Sequence, residues 1–209
     1  MKRLTLLPLS LLFAASASVA ANSVDLRVTG TITPAACDIS LIGGDFDLGS
    51  IDSGSLNSTQ KTALPIPATK DLSIVCSAAT LVGIKVVDNR PNLTANFDDD
   101  DFGLGQDGAG NDIGWYNIQL LTPTVDAASG SFIRSSDAGA TWAGTRPDLL
   151  NHNVSSIASW NAGVGTDPVA VTTVLQPIKV TPLINPENNL DTSTDIAIDG
   201  SATIELVYL

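Results

Sequence analysis

Asp98-Asp99-Asp100-Asp101, followed by Asp107, Asn111 and Asp112, gathers seven oxygen-bearing side chains within fifteen residues. Carboxylate and amide oxygens are what a Ca²⁺ ion takes. Gly108-Ala109-Gly110-Asn111-Asp112 has the look of one turn of a Ca²⁺-binding nonapeptide repeat. Such repeats bind by stacking, and no second copy occurs. The run also lacks a bidentate Glu. A solvated acidic loop is therefore expected, with no resident metal; Asp107 and Asp112 are the only weak candidates.

Ser135-Ser136-Asp137-Ala138-Gly139-Ala140-Thr141-Trp142 follows the Asp-box pattern S-x-D-x-G-x-T-W. In such a hairpin Asp137 accepts N–H bonds of the turn, Gly139 supplies a positive φ and Trp142 packs beneath. The pattern occurs in sialidase propellers, which raises glycan contact. One copy cannot build a propeller, and no arginine triad is evident, so a structural hairpin is the expectation. Trp115, Trp142 and Trp160 could form a sugar platform, but core packing is the simpler reading. His152 is the lone histidine and reads as a loop residue. No Gly-x-Ser-x-Gly, P-loop, CxxC or HExxH pattern is present. The many loop aspartates single out no catalytic pair. No enzyme and no cofactor is expected.

The elements that would carry these residues are strands. Charged residues make up 15% of the 209, and Asp accounts for 20 of the 22 acids. Glu and Lys, the helix-surface formers, are scarce, whereas Val, Ile, Thr, Ser, Gly and Asn abound. A formal charge of -12 argues against nucleic acid or an anionic membrane as partner.

Lys2 and Arg3 precede an apolar stretch from Leu4 to Phe13, and Ala14 to Ala21 is built of small residues. Residues 1–21 thus read as a secretory signal, cleaved after Ala20 or Ala21. The stretch is too short for a membrane span, and no later run approaches one, so no membrane insertion is expected. Cleavage removes two bases and no acid, taking the charge from -12 to about -14. Export places Cys37 and Cys76, the only cysteines, in an oxidising compartment, where a disulfide is the default.

Val24, Leu26, Val28 and Ile32 alternate with polar residues, with Gly30 in the apolar row and Pro34 ending the run. Short strands are expected at Asp38 to Ile42 and Asp45 to Ile51. Leu64 to Pro67 reads as edge or loop. Leu72 to Cys76 and Leu81 to Val87 read as core strands. Phe97 to Gly114 reads as a polar Asp/Gly loop, and Trp115 to Leu121 alternates again. Phe132-Ile133 and Thr141-Trp142 flank a turn, and a short helix is expected near Val154 to Trp160. Pro168 to Val174 and Ile178 to Ile184 read as strands. Asp199-Gly200 reads as a turn or bend before a last strand from Ser201 to Leu209, with Ala202, Ile204, Leu206 and Tyr208 on one face. Many short strands with Gly and Pro punctuation, and no repeat or linker, predict one all-β sandwich.

Three features together resemble the chaperone–usher pilins, the fimbrial subunits of Gram-negative bacteria. One is the alternating segment Val28-Thr29-Gly30-Thr31-Ile32-Thr33-Pro34-Ala35-Ala36-Cys37, with Gly30 seven residues before the cysteine. Another is Asp47-Leu48-Gly49-Ser50-Ile51, then Leu56, ahead of a second cysteine at a spacing near 40. The last is the alternating C-terminal strand with its penultimate Tyr208. The resemblance covers about residues 22–88 and 196–209. The middle is longer than in ordinary pilins, an insertion around 95–165. There and at Leu183 to Pro186 and Asp199 to Glu205 the chain looks like a pilin-related secreted family of unknown function. Pilins usually carry a glycine fourteen residues from the end, where this chain has Ile196.

The resemblance implies an immunoglobulin-like, pilin-type sandwich over residues 34–209, incomplete and completed by donor-strand addition. Residues 22–33 would be the donor extension, with Val24, Leu26, Val28 and Ile32 filling groove pockets and Gly30 crossing a shallow floor. Alternatively, they form this protein's own first strand. Ala202, Ile204, Leu206 and Tyr208 would lie on the edge strand that a chaperone grips. The implied partners are a periplasmic chaperone, an outer-membrane usher and other pilin subunits. The implied course runs through the inner membrane to the periplasm, then the fimbrium at the cell surface. The alternative is a free periplasmic or secreted binding module, for glycan or Ca²⁺, without catalysis.

Overall fold

The computed structural model describes residues 26–31, 36–65, 67–91, 98–144, 148–163 and 165–209. The expected signal segment and the expected donor positions Val24 and Ile32 lie outside them. The chain divides into two units, residues 1–33 and 34–209. Within the first, residues 26–31 carry no strand, and Leu26 and Val28 are exposed.

The second unit is all β. In chain order its strands are β1 (Cys37–Ile42), β2 (Thr62–Ala63), β3 (Lys70–Thr80), β4 (Val82–Asp88), β5 (Phe102–Gly103), β6 (Gly114–Leu120) and β7 (Thr124–Val125). Then come β8 (Ala128–Ser129), β9 (Ser131–Ser135), β10 (Ala143–Gly144), β11 (Ile157–Asn161), β12 (Val171–Ile184) and β13 (Ala202–Tyr208). One antiparallel sheet runs β1-β3-β12-β6-β5, with β2 and β7 also pairing β12 and β8 pairing β7. The other runs β10-β9-β11-β4-β13. Among the described residues no helix is long and apolar enough to cross a membrane.

Alternation builds the core. Leu72, Ile74 and Cys76 of β3 are buried with Tyr116, Ile118 and Leu120 of β6. Across the sandwich stand Val82, Ile84 and Val86 of β4 and Trp160 of β11. Each row keeps the period of two that sends side chains to one face. Gly83 interrupts the outer parity of β4 because a Cβ there would lie 2.7 Å from the Ala158 carbonyl oxygen.

Several expectations are corrected. The two strands placed at Pro168 to Val174 and Ile178 to Ile184 are one strand, β12, which runs through Pro177 and Pro182. A strand residue aims its N–H and C=O at the same neighbour. Pro177 O accepts from Leu121, just past the last β6 pair, and Pro182 O accepts from Leu64, just past β2. Each missing N–H thus faces a place where the neighbouring strand has stopped. The helix expected near Val154 to Trp160 is instead the fully buried strand β11, paired to β9 and β4. The Asp/Gly loop is not merely polar: Phe102, Leu104 and Ile113 are core residues. Asp199-Gly200 makes no turn; Asp199 N–H bonds to Leu104 O, and Gly200 lies against Tyr116 and Leu104. Residues 45–51 form no ladder, which bears directly on the site.

Candidate functional site

Strand β13 ends the second sheet. It pairs with β4 from Ala202↔Asp88 to Tyr208↔Val82, and its other edge carries no strand among the described residues. Ala202, Ile204 and Leu206 turn toward the core yet are only half-buried, while Thr203 and Glu205 face out. Beside this edge a groove of about 750 Å³ opens between the sheets. Its floor includes Ile118, Ile178 and Val180, and its far wall is the segment 45–51.

That segment behaves like a strand without a partner. Phe46 and Leu48 are half-buried against the core, and Asp45 and Asp47 are exposed between and beside them. Yet 45–51 joins no ladder; the local bond is Gly49 N–H to Asp47 Oδ1 at 2.8 Å, with Gly49 at φ 67°. Lys70 donates to Gly43 O at the segment's start, and its ammonium lies 5.9 Å from the Phe46 ring centre. The site therefore consists of the free edge of β13 and the segments 45–51 and 195–198, which line a groove whose apolar residues include Ile118, Ile178 and Val180. Unpaired edges of this kind bind strands. Tyr116 also lines the groove, and burial, with Asp88 nearby, pushes its phenol pKa up.

Cys37 and Cys76 are directly opposed on β1 and β3 and are disulfide-bonded. Cys37 N–H donates to the Tyr208 hydroxyl at 3.0 Å. Leu41 lines the groove four residues beyond Cys37, and Ile204 lines it four residues before Tyr208. The disulfide and the tyrosine thus tie β3, β1 and β13 together past one end of the opening.

The remaining sequence candidates fall elsewhere. Ser135, Asp137, Gly139 and Trp142 meet in the β9–β10 hairpin. The Ser135 hydroxyl donates to Asp137 at 2.7 Å, Thr141 donates its N–H and hydroxyl to the same carboxylate at 2.8 and 2.6 Å, and Gly139 sits at φ 95°. The Thr141 and Ser135 hydroxyls hold the Asp137 pKa down at about 2. Asp107 accepts from Asp191 N–H at 2.7 Å, from both nitrogens of Asn111 and from Ala109 N–H. The Asp191 N–H and the Asn111 amide hold its pKa at about 2. Its oxygens knit the 107–112 turn to residue 191. Asp112 accepts from Gln106 Nε2. Burial raises the Asp100 pKa despite Asn151 and Arg134 beside it. His152 Nε2 lies 3.2 Å from Asp101 O, and its ring stands edge-on to Phe102.

The three tryptophans do not share a surface. Trp160 is inside the sandwich, Trp115 lies on the opposite face of β6 from Tyr116 with Lys61 3.8 Å above its ring, and Trp142 belongs to the hairpin. Gln176, wholly buried between the sheets, was missed in the sequence. Its signal is a polar residue on the apolar parity of Val174, Ile178 and Val180.

Fold and groove together define an antiparallel β-sandwich with an open strand edge. Residues 26–103 match the model of a family described as "Protein of unknown function (DUF1120)". The chain is similar to Protein GltF of Escherichia coli (strain K12), 24% identical over 241 residues covering 94% of this chain and 93% of GltF. It is also similar to the uncharacterized protein YhcF of the same organism, 27% identical over 229 residues covering 94% and 95% of the two chains.

Proposed function

We propose that the chain is an exported, non-catalytic structural subunit of a fimbria, with an incomplete pilin-type sandwich completed by a strand from another molecule. The observation that carries this reading is the groove beside the free edge of β13, lined by residues 45–51 and 195–198 and by Ile118, Ile178 and Val180. An added strand would pair with the free edge of β13 and turn the half-buried Ala202, Ile204 and Leu206 into core. Residues 22–33, apolar on one parity and ahead of the disulfide, suit the donor role toward a neighbour. A chaperone would cover the same edge before assembly, and an usher would direct the exchange. The disulfide is consistent with the oxidising compartment such a route requires.

The test is assembly. Full chain, concentrated after purification from periplasm, is expected to form ladders of SDS-resistant oligomers and to capture a synthetic peptide of residues 22–33. A cooperatively melting monomer that does neither refutes strand exchange and favours the free binding module.

A further inference from the structure

The groove has a signed rim. Asp45, Asp47 and Asp195 line it, with no Lys, Arg or His among the lining residues, although the Lys70 ammonium, which donates to Gly43 O, lies 5.9 Å from the Phe46 ring centre. Asp199 nearby is paired with Arg90 at 2.8 Å, and Glu205 faces Lys85 across the β13–β4 ladder. Asp45, Asp47 and Asp195 make no ion pair among the described residues. Asp45 and Asp47 stand on the outward parity of their segment, with Phe46 and Leu48 turned in.

The candidate occupant carries the opposite sign at one place. Arg27 is the only Lys or Arg between residues 4 and 60. It lies between Leu26 and Val28, so a strand that buries those two in the groove holds Arg27 on its outward face. Side chains on one face of neighbouring strands lie about 5 Å apart when opposed and about 7–8 Å on the diagonal, within reach of an Arg.

We infer that the groove takes the N-terminal extension of a second copy of this chain, and that Arg27 sets its register against Asp45 and Asp47. The inference rests on the strand-exchange reading and adds what discriminates one alignment from the next. Side-chain parity alone forbids a slip of one residue but permits a slip of two. Here a slip of two in one direction puts Asp25 where Arg27 stood, against the acidic wall. In the other direction it brings Thr29, which forms no ion pair. Charge therefore adds to the discrimination that Gly30, the gap in the apolar row, would give.

The test measures binding of a fluorescent peptide of residues 22–33 to the full chain by anisotropy. The R27E peptide is expected to bind about 5- to 10-fold more weakly at low salt, as fits the loss of an exposed pair and the gain of a like-charge contact. The difference should shrink toward 1 M NaCl. A D45R/D47R chain is expected to reverse the preference and bind the R27E peptide better than the native one; its thermal melt checks that it is folded. Equal binding of both peptides to the native chain at low salt overturns the role of Arg27 while leaving strand exchange standing. If the native peptide does not bind and the chain does not oligomerise, both fall. Crosslinking between Arg27 and the rim that is independent of concentration overturns the second-copy assignment in favour of the chain's own extension.

Discussion

Trp160 donates its indole N–H to the Gln176 side-chain oxygen at 3.0 Å, and both residues are buried between the sheets. Gln176 in turn donates to Leu121 O at 2.6 Å and Pro177 O at 2.9 Å. One amide thus links β11 of one sheet to β12 of the other, beside the proline opposite which β6 has ended. A low-dielectric interior makes each of these bonds costly to lose. Gln176→Leu leaves the Trp160 N–H without its acceptor, and should cost about 1–3 kcal/mol in urea denaturation. Trp160→Phe in that background should recover part of the loss, because both polar partners are then gone. Equal stability of Gln176→Leu and the native chain would contradict the linkage.

Removing the disulfide should cost more. Cys37 and Cys76 are 39 residues apart, and closing such a loop stabilises by about 4 kcal/mol in the chain-entropy picture. The Cys37→Ala/Cys76→Ala chain should show a midpoint lowered accordingly, and reductant should lower the native chain's midpoint but leave the variant's unmoved. The loss should also reach β13, since Cys37 N–H holds Tyr208. Hydrogen exchange at Leu206 to Tyr208 should quicken in the variant.

Acid should loosen the turn that Asp107 organises. Its folded pKa, about 2, lies below the ordinary 3.8, because the Asp191 N–H and the Asn111 amide favour the carboxylate. A depressed carboxylate stabilises the fold above its unfolded pKa, and that contribution is lost as pH falls through the folded value. Thermal melts should therefore show the native chain losing its advantage over Asp107→Asn as pH drops from about 4 to about 2. A gap that stays constant over that range would remove Asp107 from the account. Because these oxygens are occupied by N–H donors, millimolar Ca²⁺ should raise the melting temperature by less than about 5 °C.

Gly30→Leu addresses the donor segment. Gly30 lies in the first unit, where residues 26–31 carry no strand, so the monomer should melt as before. Assembly should fail, at about 1–3 kcal/mol or more, if the glycine must cross a shallow groove floor. Gel ladders and melts of the same preparation separate the two effects. A destabilised monomer with normal ladders would point to pairing of residues 22–33 within their own chain.

The fold class was legible because strand alternation is a local property. Trp115 to Leu121, Leu72 to Cys76 and Ala202 to Tyr208 each show which parity meets the core, and a lone cysteine pair behind an expected export signal foretold the disulfide. Residues 45–51 show where local pattern runs out. Their alternation reads as a strand, and Phe46 and Leu48 do turn inward, but a ladder needs a neighbour that sequence cannot place. Strand β11 was missed because Ile157-Ala158-Ser159-Trp160-Asn161 is buried on both faces, which erases the period. Pro177 argued for two strands where there is one, since only the tertiary arrangement shows that β6 ends opposite it. Composition and spacing determined the all-β class, several of its strands and the crosslink. Which edges stay open, and that Asp45 and Asp47 rim the space between them, were decided by non-local packing, because an edge is defined by what does not lie beside it.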